Sequence, residues 1–247
     1  MKQSLHVLLE GLIDYAGLFP PAALSMQDAV RNYARYREGE HAFALGRFVV
    51  PQERASEVPH DFPLSVLGVD EVKAASREDV ERIARAANGR TVYVEIADVA
   101  LLDAIAEHGL RAKIRTGGIT ADAFPAIGSI AQFLRACRER NVAFKATAGL
   151  HHPLRCVKPL TYETNAPTGT MHGFLNVFLA AALLDQAEDV LREDDPHAFT
   201  YDDDGVSWRA HRVTTTELAT MRKTFATSFG SCSFEEPIGD LEELGWL

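Results

Sequence analysis

Arg111-Ala-Lys-Ile-Arg-Thr-Gly-Gly118 and Phe144-Lys-Ala-Thr-Ala-Gly-Leu-His-His152 are built alike. In each, apolar and polar residues alternate with a period of two, the period at which strand side chains change faces. Ala112 and Ile114 share one face, with Lys113 and Arg115 on the other. Phe144, Ala146 and Ala148 likewise oppose Lys145 and Thr147. One such strand can be an edge facing water. Two of them, both flanked by helical patterns, predict a parallel sheet whose apolar face is covered by helices. The cationic face then points into a closed barrel or a cleft. Cations are not put into an interior for packing, so the pattern predicts an enzyme.

Outward from these strands the same rhythm continues. Residues 3–11 read as a short helix leading into a first strand at 12–15. The loop after it contains Gly17 and the consecutive prolines Pro20 and Pro21, which stop regular structure. Ser25 with Asp28 opens a helix to about residue 38. Strands follow at 48–50, ended by Pro51, and at 64–69. Ser76 with Asp79 caps a helix that Gly89 is placed to stop. A fourth strand at 92–96 turns Tyr93 and Glu95 to one face. A helix near 99–108 leads to the Lys113 strand, counted fifth. A helix over 121–139, broken near Pro125 and Gly128, leads to the Lys145 strand, counted sixth.

Beyond residue 153 the rhythm loosens. A loop with Pro153, Pro159 and Pro167 precedes a helix at about 171–194. Asp202-Asp-Asp-Gly205 signals a hairpin near 199–209, Thr214 with Glu217 caps another helix, and 229–234 reads as a last short strand. The fold expected is a (β/α)8 TIM-like barrel, irregular in its C-terminal quarter, forming a single domain over 1–247. An open doubly wound parallel sheet is the alternative.

The chain has 247 residues and a formal charge of −10, which argues against a nucleic-acid backbone or an anionic membrane as partner. It leaves room for a small-molecule substrate that is itself anionic, because a local cluster of Lys and Arg outweighs net charge at short range. A homo-oligomer is a further expected partner state. Cys137, Cys156 and Cys232 are odd in number and far apart, which fits a reducing compartment. The longest apolar run, 174–184, is too short to span a bilayer. A soluble, cytoplasmic protein is the expectation.

In a barrel the active site forms where strands end at the C-terminal face. Asp14, Glu95, Lys113, Arg115 and Lys145 all lie on the polar sides of their strands and are expected to converge there. The competing reading is a buried ion-pair network, which is costly without a functional return. Crowding by Lys113 and Arg115 predicts a depressed pKa for Lys145, and a neutral amine can attack a carbonyl to form a Schiff base. Gly117 and Gly118, followed by Thr120 at a helix start, can cradle an anion beside Arg115 or simply turn the chain. Thr147 and Cys232 are further candidates for substrate contact.

Lys145-Ala-Thr-Ala-Gly149 resembles the lysine–small–Ser/Thr–small–Gly strand motif of class I aldolases, in particular the deoxyribose-phosphate aldolase type. The resemblance implies an aldolase-like lyase with Lys145 as Schiff-base lysine, Lys113 as the cation lowering its pKa, and Glu95 or Asp14 as proton shuttle. It implies no cofactor. Several such barrels carry the Schiff-base lysine on the sixth strand. The deoxyribose-phosphate aldolase family carries paired lysines on the sixth and seventh strands, whereas the count here is fifth and sixth. A second class of function uses His151, His152 and His172 as ligands of a divalent metal such as zinc, completed by Asp14 or Glu95, in a hydrolase, isomerase or lyase. One histidine beside a lysine or carboxylate can alternatively act as general acid or base. A third class is a non-catalytic binding protein on a barrel scaffold.

Overall fold

A computed structural model describes residues 1–247. The chain begins with α1 (Gln3–Leu9), which buries Leu5, Leu8 and Leu9, and turns into β1 (Ile13–Tyr15). Ser25 Oγ accepts the Asp28 amide and starts α2 (Met26–Arg37), which leads to β2 (Leu45–Pro51). Then β3 (Leu64–Leu67) and β4 (Glu71–Lys73) follow with only Gly68, Val69 and Asp70 between them. A true parallel crossover takes a dozen or more residues. The second segment is therefore a sidestep of the first, passing the pairing from β2 to β5 (Tyr93–Glu95).

Between β4 and β5, Ser76 and Asp79 close a capping box on α3 (Arg77–Ala87). The helix stops on left-handed Asn88, one residue before the glycine expected to end it. The short α4 (Leu102–Glu107) leads to β6 (Arg111–Arg115), and α5 (Ile127–Glu139) leads to β7 (Phe144–Thr147).

All eight strand segments of the barrel run parallel and close in the order β1-β13-β7-β6-β5-β4-β3-β2, where β13 is Ala226–Ser231. Closure is direct, with Ile13 beside Phe229, Asp14 beside Gly230 and Tyr15 beside Ser231. The TIM-like barrel is thus the observed fold, and the open sheet is not. One segment of the barrel went unread in the sequence, β4. It adds no strand–helix unit, so Lys113 and Lys145 stay on the fifth and sixth units of the ring.

The irregular quarter lies between β7 and β13. The expected loop at 153–167 instead contains an antiparallel hairpin, β8 (Cys156–Pro159) and β9 (Thr168–Met171). The single helix expected at 171–194 is two, α6 (Phe174–Ala182) and α7 (Ala187–Arg192), separated by a 3-10 turn. The expected hairpin has a third strand: β10 (Phe199–Tyr201), β11 (Gly205–Trp208) and β12 (His211–Thr214). Thr214 and Glu217 cap α8 (Thr215–Thr224) before β13, and α9 (Glu235–Glu243) closes the chain. Residues Phe174 to Ala181 are buried on every side of α6, since that helix fills the layer between barrel and outer helices. No helix is long and apolar enough to cross a membrane.

Candidate active site

The polar faces of the strands meet inside the barrel as a ladder of alternating charge. Lys145 Nζ, on β7, lies 2.7 Å from Asp14 Oδ2 on β1 and 2.5 Å from Glu71 Oε1 on β4. Glu71 Oε2 reaches Lys113 Nζ on β6 at 2.8 Å, and Lys113 continues to Glu95 Oε2 on β5 at 3.0 Å. Arg115 Nε ends the row on Glu95 Oε1 at 3.1 Å. Hydroxyls complete the shells: Ser65 donates to Glu71 at 2.6 Å and Ser228 to Asp14 at 2.7 Å. The Arg47 amide donates to the other Asp14 oxygen at 2.7 Å. Buried charges are tolerated because each has opposite charge and hydrogen bonds around it.

Lys113 and Lys145 are direct neighbours in the β6–β7 register. Crowding of these cations was expected to depress the Lys145 pKa, and the structure corrects this. Glu71 stands between the two amines. Burial pushes Lys145 down, but Asp14 and Glu71 together outweigh it and hold its ammonium above the ordinary lysine range. Glu71 itself meets a burial penalty that the charges of Lys145 and Lys113 overcome, bringing it down to about 2. Glu95 follows the same balance and is lowered.

At the C-terminal mouth a cavity of about 450 Å³ opens above the ladder. Its floor and walls include Glu71, Lys113, Arg115, Thr147, His151 and Cys232. Gly117 and Gly118 contribute backbone to the wall, and Phe19, Pro20 and Pro21 from the loop after β1 line the opposite, apolar part. The size suits a small metabolite. Lys145, only 2% exposed, and Asp14 lie outside the cavity lining. Glu95 lines instead a wider hollow of about 910 Å³ that adjoins the mouth, where Lys73, Asp79, Arg82 and Asp98 also lie. The smaller cavity is the better site, because it reaches Glu71 and Lys113 in the middle of the ladder, whereas the larger meets only its Glu95–Arg115 end.

The loops after β6 and β7 are tied together. Thr116 Oγ1 donates to the Ala148 carbonyl at 2.7 Å, and Ala148 and Gly149 both adopt left-handed backbone at φ 63° and 74°. A Cβ on Gly149 would lie 2.7 Å from Gly117 Cα, so these backbones touch. The helix expected at Thr120 is a single 3-10 turn (Ala121–Ala123), with α5 starting only at Ile127. The glycine pair therefore forms a close-packed turn and cavity wall, with no helix start directly behind it.

The three histidines do not form one ligand set. His151 Nδ1 is 2.8 Å from Glu236 Oε2, and His152 Nδ1 is 2.6 Å from Asp240 Oδ2, both acids on α9. His172 Nε2 is instead 2.8 Å from the Pro125 carbonyl. No group of three or more His, Cys, Asp or Glu side chains is arranged to hold a metal ion. Cys232 is buried, and burial pushes its thiol up, with Tyr162 OH 3.7 Å from its sulfur.

No protein-family model and no curated protein matches this chain. Its chemistry must be read from the site alone.

Two residues of the site escaped the sequence reading. Glu71 sits on the unread β4; the alternation Glu71-Val72-Lys73 was its signal, masked by Gly68 and Asp70 just before it. Glu236, in the first turn of α9, carries no spacing that could connect it with a histidine 85 residues away.

Proposed function

We propose that the protein is an aldolase-like lyase that acts on a small anionic carbonyl metabolite through an imine on a lysine, and that this lysine is Lys113. The observation that carries the reading is the division of labour between the two barrel amines. Lys113 lines the cavity, while Lys145 is sealed beneath it. An amine that forms an imine must reach the carbonyl carbon, and a sealed amine cannot. Glu71 and Glu95, at 2.8 and 3.0 Å, are the groups to which Lys113 can pass a proton as its nitrogen attacks. Arg115 lines the same cavity and uses Nε for Glu95, leaving its terminal nitrogens for a substrate carboxylate.

The likeness to class I aldolases favours the other amine, because its strand motif surrounds Lys145. Access decides between them, and Lys145 becomes the residue that keeps Glu71 ionised and in position.

Borohydride reduction with a panel of small aldehydes, ketones and 2-keto acids, followed by peptide mapping, tests this. The expected outcome is an adduct on Lys113 that is absent from Lys113→Met. An adduct on Lys145 would return the role to that residue, and no adduct with any member would refute imine chemistry.

A further inference from the structure

The cavity needs a group that can take a proton from the substrate carbon, and the ladder carboxylates are committed to the lysine ammonium groups. Glu71 is engaged by Ser65, Lys145 and Lys113 at once. Arg115 is a cation, and the Cys232 thiol is pushed up by burial. Among the titratable residues of the lining, His151 remains.

Its surroundings are those of a poised base. His151 is 8% exposed, directly behind the left-handed turn at Ala148 and Gly149. Glu236 Oε2 lies 2.8 Å from its Nδ1. The same oxygen accepts the Tyr162 hydroxyl at 3.0 Å, and the Glu236 amide donates to Ser233 Oγ at 3.1 Å, so the carboxylate is fixed in place. Burial pushes Glu236 up, but the hydrogen bond to His151, foremost among its neighbours, brings it below the ordinary range. An ionised acceptor at Nδ1 holds the proton there and leaves the lone pair on Nε2, which has no partner within the chain. Around the ring stand Glu236 from α9 and His152, whose ring centroid is 6.4 Å away; Tyr162 from the β8–β9 arm reaches the same Glu236 oxygen, and Cys232 after β13 shares the cavity lining. His152 is tethered to Asp240 and does not line the cavity.

We infer that His151, oriented by Glu236, moves the proton on the carbon next to the imine, and that the substrates are enolisable 2-keto acids or ketones carrying a carboxylate. The inference rests on the imine reading above. Once the carbonyl oxygen has left as water, Nε2 takes the proton from the neighbouring carbon. The C–H pair becomes the C=C bond of an enamine, and the C=N π pair moves onto the lysine nitrogen. Either the enamine attacks an aldehyde, whose oxygen takes the imidazolium proton as the C–C bond forms, or the carbon takes that proton back; both routes restore the iminium, which water hydrolyses to free the amine.

Pyruvate, the smallest such acid, is the probe. Wild-type protein, His151→Gln, Glu236→Gln and Glu236→Asp are incubated with it in D2O, methyl deuteration is followed by NMR, and adducts are trapped in parallel with borohydride. The wild type is expected to trap pyruvate and to exchange its methyl protons. His151→Gln should keep the adduct but exchange at least about 100-fold more slowly. Glu236→Gln should slow exchange by a smaller factor, and Glu236→Asp should recover part of it. An adduct with exchange unchanged in His151→Gln overturns the role of His151 while leaving the imine intact. No adduct with pyruvate in the wild type overturns the assignment of 2-keto acids, and no adduct with any carbonyl of the panel overturns the imine as well.

Discussion

Lys145 Nζ bridges Asp14 and Glu71 at 2.7 and 2.5 Å, with all three side chains buried. Lys145→Met would leave two buried carboxylates facing each other, and removing one partner of a buried pair costs about 3–5 kcal/mol. For a chain of this size we expect the melting temperature to fall by roughly 10 °C, measured by calorimetry. A fall within error would mean that the ladder is not structural. The ladder also sets the pH limits of stability. The folded Glu71 value, about 2, lies below its ordinary 4.5, so its contribution is complete above that value and fades as pH falls towards 2. Lys145 is raised, so its contribution is present below the ordinary lysine range and is lost as pH climbs beyond it. Urea unfolding at neutral pH and at about pH 3 should therefore show a clear acid loss, and this loss should shrink in Glu71→Gln. At this scale the sequence exposed Asp14, Glu95, Lys113 and Lys145 through strand alternation. It gave the wrong neighbours, because which charge faces which across a barrel depends on register, and register is not written in any one strand.

Among elements, the critical junction is the pair of loops leaving β6 and β7. Gly149 has φ 74°, and a Cβ there would meet Gly117 Cα at 2.7 Å, whereas Gly128 in α5 has nothing within 4 Å. Gly149→Ala should therefore destabilise by about 2 kcal/mol or more, through left-handed backbone cost and overpacking. Gly128→Ala should be neutral or stabilising by up to about 1 kcal/mol. Equal effects of the two in urea titrations would contradict the close approach. The capped helices α2, α3 and α8 were legible from Ser25, Ser76 and Thr214, since an N-cap is a local device. The hairpin β8–β9 was not. Three prolines read as loop, but Pro159 and Pro167 stand at or beside the loop end of a short two-stranded arm, where prolines are tolerated.

For the molecule as a whole, Arg222 ties the ends of the barrel together. From α8 its guanidinium donates to the Leu8 and Glu10 carbonyls at 2.9 and 3.0 Å, and to the Ala226 and Thr227 carbonyls at the start of β13. The first and last strands of the barrel are thus pinned near their N-terminal ends. Arg222→Met would strand four carbonyls, and we expect a loss of at least about 3 kcal/mol in chemical denaturation. A loss under about 1 kcal/mol would place closure elsewhere. The parallel barrel itself was determined by the sequence, because alternation within strands and the helices between them leave few ways to bury both. The lysine that lines the cavity, the partner of each carboxylate and the meeting of His151 with Glu236 were decided only by the tertiary structure. Local periodicity fixes which face a side chain takes. Closure of the ring fixes what lies opposite it, and that is a property of strands far apart in the chain.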